Sequence, residues 1–173
     1  MRAISVPLAV TALAAALVLT ACGDDGDSSK GDKSDKAAGC QYAVKVGPAN
    51  AAPKAGDTGN VPVTLTNRDT GKCTLEGFPG IELSGGSTSW AVGEVKAAKP
   101  EKVTLQPKEQ ATFTITYVRG KAGAEDSAAA KRLKITIPAG GTAQSYAWSY
   151  GDVALKDEKT PNASVGPFQI AGD

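Results

Sequence analysis

Strict alternation of apolar and polar residues recurs along this chain, and it limits the possible folds more than any other feature. Val61, Val63 and Leu65 alternate with Pro62, Thr64 and Thr66. Ala111, Phe113, Ile115 and Tyr117 alternate with Thr112, Thr114 and Thr116, and Leu133, Ile135 and Ile137 with Lys134 and Thr136. A period of two puts each apolar set on one face of a strand and each polar set on the other, toward water. Shorter strand-like runs lie at 42–46, 74–83, 89–95, 103–106, 145–155 and 165–170. Turn-forming Gly, Pro, Asn and Asp separate them, at Gly47-Pro48, 67–71, 84–86, 106–108 and 138–141. The pattern predicts an all-β domain of about eight strands, an antiparallel sandwich rather than a βαβ sheet. Segment 123–132 is the one candidate helix, with Glu125, Asp126 and three consecutive alanines. Lacking an apolar stripe, it is expected to be a surface excursion between strands.

The first residues decide the compartment. Met1 to Ala21 carry a single charge, at Arg2, followed by an apolar run that closes on Leu19-Thr20-Ala21-Cys22. This is the layout of a secretory signal peptide. Its end resembles the bacterial lipobox, which implies diacylglyceryl transfer to the Cys22 sulfur and cleavage before it. Two acyl chains give the stable anchoring that one cannot, at about 0.8 kcal/mol per buried methylene. Residues 23–39 hold five Asp, three Lys, three Ser and four Gly, with no aromatic or branched aliphatic side chain. A segment with nothing to bury is a tether, with a reach of about 20 to 25 Å. Its carboxylates lack the spacing of a calcium loop. The expected organisation is a leader at 1–21, a lipidated Cys22 with linker at 22–39, and a β-sandwich at 40–173. The expected location is the outer face of the bacterial cytoplasmic membrane.

Histidine is absent from the sequence. That excludes Ser-His-Asp and Cys-His nucleophile pairs, His-bearing metal sites and a histidine pH switch. The net charge of +1 falls to about zero without Arg2, so the footprint of a nucleic-acid binder is missing. Past the linker only Cys40 and Cys73 remain. In an exported protein such a pair reads as a disulfide, contributing roughly 3 to 4 kcal/mol for a loop of about 34 residues. A redox or metal-binding dithiol needs closer spacing. No cofactor and no metal are expected.

Two features raise the question of a ligand platform. Trp90 and the row Tyr146, Trp148 and Tyr150, at spacing two, either fill the interior or present rings on which sugar faces stack. Core filling has first claim where aromatics are only 5% of the chain. Phe78, in Gly77-Phe78-Pro79-Gly80, is expected to pack over the Cys40/Cys73 bridge as a core plug. Glu76, Glu82, Glu94, Glu101, Glu109 and Asp152 form no acid/base motif. Gly85-Gly86 and Gly140-Gly141 are hairpin candidates without the following helix and Lys that a phosphate cradle requires.

The block Cys73-Thr74-Leu75-Glu76-Gly77-Phe78-Pro79-Gly80-Ile81 is preceded by Thr64-Leu65-Thr66-Asn67 and by Cys40 at the domain start. It is followed by Leu105-Gln106-Pro107-Lys108-Glu109-Gln110-Ala111 and a strand ending in Ile137-Pro138. Together these resemble the family catalogued as domain of unknown function 4232, mostly lipoproteins of high-GC Gram-positive bacteria. The resemblance implies an immunoglobulin-like sandwich on the cell surface and brings no catalytic residues. The family pattern has Pro-Gly where this chain has Pro107-Lys108, and often a later cysteine pair that is absent here. The expectation is a non-enzymatic binding or interaction module, held to the membrane through diacylglycerol at Cys22, with cell-wall glycan or an envelope protein as partner. A structural envelope lipoprotein or accessory subunit without its own ligand is the alternative. An enzyme working through carboxylates alone is the third class, and it requires two Asp/Glu facing each other at about 5 to 9.5 Å.

Overall fold

The computed structural model describes residues 39–138 and 143–172. The leader, Cys22 and the linker up to Ala38 lie outside the described residues, as do residues 139–142, which include most of the turn expected at 138–141, and Asp173. Fourteen strand segments follow one another: β1 (Tyr42–Val46), β2 (Thr58–Asn67), β3 (Cys73–Leu75), β4 (Gly80–Gly85), β5 (Thr88–Glu94), β6 (Val103–Leu105) and β7 (Gln110–Val118), then β8 (Ser127–Ala128), β9 (Arg132–Thr136), β10 (Gln144–Ala147), β11 (Val153–Asp157), β12 (Thr160–Pro161), β13 (Ala163–Val165) and β14 (Gln169–Ile170). Among the described residues there is no helix, and none therefore long and apolar enough to cross a membrane.

The alternating runs become the strands that carry the core. Val61, Val63 and Leu65 of β2 lie opposite Ile115, Phe113 and Ala111 of β7, and all six are buried. Leu133 and Ile135 of β9 meet Leu83 and Ile81 of β4 in the same way. The main sheet runs β1-β2-β7-β13-β5-β4-β9-β10, with β14 also on β7. Its pairings are antiparallel except β13 with β5, where Ser164 and Val165 run parallel to Gly93 and Glu94. The expected all-β sandwich is the fold observed, and this parallel join carries the sheet from one half to the other.

The two ends of the path come together. Gln144 Nε2 of β10 donates to Tyr42 O at 3.4 Å, and the Tyr146 hydroxyl lies 3.4 Å from Val44 O. Side chains thus span the seam between β10 and β1, and the sheet is nearly closed.

The sequence runs are longer than the strands because backbone breakers divide them. Gly77, at φ +83°, and buried Pro79 separate β3 from β4, and Pro167 separates β13 from β14. Segment 123–132 forms turns and the short β8. It is not purely superficial, since Ala128 and Ala130 are buried in the core. Their side chains are small enough to let the backbone approach closely.

Cys40 and Cys73 are joined by a disulfide with a Cα–Cα distance of 5.9 Å. Beside it, Asn67 ends β2 with its side chain fully buried. Its Nδ2 reaches Gly71 O at 2.9 Å and the carbonyls of Leu105 and Gln106 at 3.1 Å, while its Oδ1 accepts from Asp69 N at 2.9 Å. The turn it holds has Glu109 N donating to Gln106 O at 3.1 Å. Pro107 occupies the first central position and Lys108 the second, at φ +69°. That is the left-handed position glycine takes in type II turns.

Replacing Lys108 by Gly is therefore expected to raise stability by about 0.5 to 1 kcal/mol, since a side chain in the left-handed region costs about that much. Urea unfolding would show a higher midpoint at unchanged slope. Asn67→Ala leaves several buried backbone groups without a partner and is expected to cost about 2 to 4 kcal/mol by the same measurement.

Candidate functional site

A two-residue loop, Gly86-Ser87, joins β4 to β5, with Gly85 opposite Thr88. Gly86 at φ +58° is the glycine that a type II′ hairpin requires at its first loop position. Gly85 is required for a different reason: a Cβ there would collide with the Ala129 carbonyl oxygen. The close approach brings the 129–131 backbone against the hairpin, where Lys131 N donates to Ser84 O at 2.8 Å. Trp148 N in turn donates to Lys131 O at 2.9 Å, so Lys131 is pinned between the β4 and β10 sides.

Two depressions flank this point and share Lys131 and Arg132 as their common wall. One, of about 400 Å³, is completed by Ser84, Gly85 and Gly86. The other, of about 320 Å³, is completed by Ser145, Tyr146 and Ala147. The Lys131 side chain is 72% exposed and its ammonium lies 3.9 Å from Asp152 Oδ1, a long and solvated contact. The other Asp152 oxygen accepts from Gly123 N at 2.9 Å. Lys134 pairs with Glu82 at 3.7 Å. Arg132 is exposed and, among the described residues, has no carboxylate at ion-pair distance. Burial raises the Tyr146 pKa, so its phenol is a neutral donor at physiological pH. It lies 2.6 Å from Gln144 Oε1.

The four aromatic residues read as a platform are not together on an open face. Trp90 and Trp148 are buried, at 8% and 4% exposure, and Tyr146 and Tyr150 are half-buried. The row breaks because β10 ends at Ala147, after which the chain turns inward. Trp148 then packs edge-on against Tyr117 and Tyr150, with ring centres 5.1 and 4.9 Å apart, and its indole N–H donates to Gly151 O at 2.7 Å. The Tyr117 hydroxyl accepts from Ala52 N at 3.2 Å and donates to Tyr150 O at 3.0 Å. These rings close the interior as a hydrogen-bonded cluster. Of the four, Tyr146 alone lines one of the cavities described here.

Phe78 departs from the expected plug over the disulfide. It is half-buried and lines a shallow depression of about 550 Å³ with Val92, Glu94 and Lys96. Pro79 takes the buried place beside it, because the positive φ at Gly77 turns the chain before the proline. A fourth hollow of about 450 Å³ has Phe168 and Ile170 between Lys99 and Lys102, with Glu101 among the lysines. Cys40, Cys73 and Asp69 lie close enough for a metal, yet both sulfurs are spent in the disulfide and offer no thiolate. Cys22 lies outside the described residues.

Local motif reading misses the Lys131–Arg132 cleft because its walls come from β4, β9 and β10. The one local signal is Ser84-Gly85-Gly86, which marks the hairpin but not the cations that meet it.

A family model described as Domain of unknown function (DUF4232) matches residues 38–169, more than two thirds of the chain. No curated protein matches the chain.

Gly85→Ala is expected to lower stability by about 2 kcal/mol or more, since the obstacle is backbone and cannot rotate away. Gly71→Ala, where a Cβ meets nothing, is the control and is expected to fall within about 0.5 kcal/mol of the parent. Thermal melting of the two variants checks the contrast.

Proposed function

We propose, since this chain belongs to the family described as Domain of unknown function (DUF4232), that it is an actinobacterial-type lipoprotein whose sandwich acts as a non-catalytic binding module outside the cytoplasmic membrane. Diacylglycerol on Cys22 holds it, and the Asp-, Gly-, Ser- and Lys-rich linker lets it move over the surface. The partner is cell-wall glycan or another envelope component.

The observation that carries the reading is the polarity of the domain. The chain enters at Cys40, where the disulfide ties it to β3, and the seam sets Tyr146 level with Val44 on β1. Val44 lies four residues past Cys40, so at about 3.4 Å per residue Tyr146 stands about 14 Å along the sheet from the tether attachment. A tethered module gains from this arrangement, because its pulling point and its contact surface are kept apart. Ser145 and Ser84, beside Lys131 and Arg132, offer polar contacts on the outer face of the sheet.

Feeding cells a clickable fatty acid tests the anchor. The native chain is expected to begin at Cys22 and carry label on that residue. Cys22→Ala is expected to carry none and to keep residues 1–21 attached, as intact-mass measurement will show. A native product with a free Cys22 thiol and its leader still joined would falsify the lipoprotein reading.

A further inference from the structure

We propose that Asp69 shields the Cys40–Cys73 disulfide, so that small thiols open the bridge slowly and anionic thiols slowest of all. The inference concerns the tie between the chain entering at Cys40 and β3, and it stands apart from the lipid anchor and from any ligand.

The carboxylate is fixed against both half-cystines. Asp69 N donates to Asn67 Oδ1 at 2.9 Å, and Asp69 Oδ2 accepts at 2.8 Å from the N–H of Gln41, the residue after Cys40. The same oxygen stands 3.5 Å from Cys73 Sγ, a contact without a hydrogen because that sulfur is in the disulfide. Both sulfurs and a carboxylate oxygen lie within 4.8 Å of one another. Among the described residues no lysine or arginine forms an ion pair with Asp69. Arg68 and Lys72 flank it in sequence, but both are exposed, where water and salt screen them, whereas Asp69 is half-buried. Its charge is felt at a second group: burial first, and then the Asp69 carboxylate, raise the Tyr42 pKa.

Reduction by a small thiol takes two exchanges. Cys73 is buried and Cys40 half-buried, so the incoming thiolate reaches the Cys40 sulfur. A bond forms there between the small thiol and Cys40, the Cys40–Cys73 bond breaks, and Cys73 departs as a thiolate that takes a proton from water. A second thiolate then attacks the small-thiol sulfur of the mixed disulfide and releases Cys40, so that two small thiols are oxidised to one disulfide as the bridge is reduced. During the first exchange negative charge spreads over the attacking and leaving sulfurs. The Asp69 carboxylate opposes it at both ends, repelling the anion that arrives and destabilising the anion that forms beside it at Cys73. The bridge thereby acts as a fixture that keeps Cys40 on β3, and not as a switch.

The test uses the full chain in detergent, with opening of the bridge followed by alkylation and peptide mass measurement at Cys40 and Cys73. Glutathione, mercaptoethanol and cysteamine serve as anionic, neutral and cationic thiols, each rate being divided by that thiol's rate with hydroxyethyl disulfide, an uncharged reference. The native chain is expected to be opened fastest by cysteamine and slowest by glutathione, over a range of about tenfold that shrinks as salt is added. Asp69→Asn keeps an acceptor for the Gln41 N–H. It is expected to raise the glutathione rate about tenfold and the cysteamine rate least, at unchanged melting temperature. Asp69→Glu keeps the charge and is expected to keep the order of the three thiols. Glu94→Gln, on β5, is expected to leave every rate unchanged. A native chain opened equally fast by all three thiols, or in an order that salt does not alter, would overturn the shield, and that measurement decides even where Asp69→Asn does not fold. So would three rates that rise together in Asp69→Asn with a lower melting temperature, which is a loosened corner, or an equal effect in Glu94→Gln, which is diffuse charge.

Discussion

One buried side-chain amide organises the corner on which the domain is built. Asn67 is a polar residue with no exposure, a position that costs several kcal/mol unless every donor and acceptor is met. Its side chain binds the 69–71 loop and the end of β6, and its own N–H and C=O bind Glu109 O and Lys108 N at 3.0 Å. Two segments far apart in sequence, 67–71 and 105–109, are thereby fixed together at the end of β2. The disulfide reinforces the same corner by joining the start of the domain to β3. The left-handed conformation of Lys108 follows from this geometry. The turn must present Lys108 N to Asn67 O, and the surrounding bonds hold it there against the preference of a side chain.

Aromatic residues close the interior at two places. Phe113 and Phe168 meet edge to face at 5.8 Å, and Tyr117, Trp148 and Tyr150 form the second group. A sandwich with few aromatics gains most by burying them, and each buried indole or phenol then needs a partner for its polar atom. Trp148 and Tyr117 find theirs in main-chain groups of the 150–151 and 52 segments. That requirement pulls the chain inward after β10 and turns a row with strand-like spacing into a packed cluster. Close packing has a further consequence at Gly59, where a Cβ would stand 2.5 Å from the Tyr117 ring. The exposed surface is thereby left to strand ends and loops rather than to ring faces.

The cleft owes its form to the same economy. Small side chains at Ala128 and Ala130, and none at Gly85, let the returning segment lie against the β4–β5 hairpin. Lys131 and Arg132 follow directly and must project where that segment meets the sheet. The glycines sit at 85–86 and the cations at 131–132, so only folding brings them to one hollow.

Alternation alone determined the strands of the core, because a period of two is imposed by the backbone and needs no knowledge of the neighbours. Cysteine count likewise determined the disulfide, since Cys40 has no other partner within the domain. Strand order, the parallel join of β13 to β5 and the seam at Tyr146 were decided in three dimensions, where a short strand's pairing depends on what lies beside it. The fate of Trp90, Trp148 and Phe78 was decided there as well. An aromatic side chain reads the same in sequence whether it plugs a core or faces water, and only the packing around it settles which.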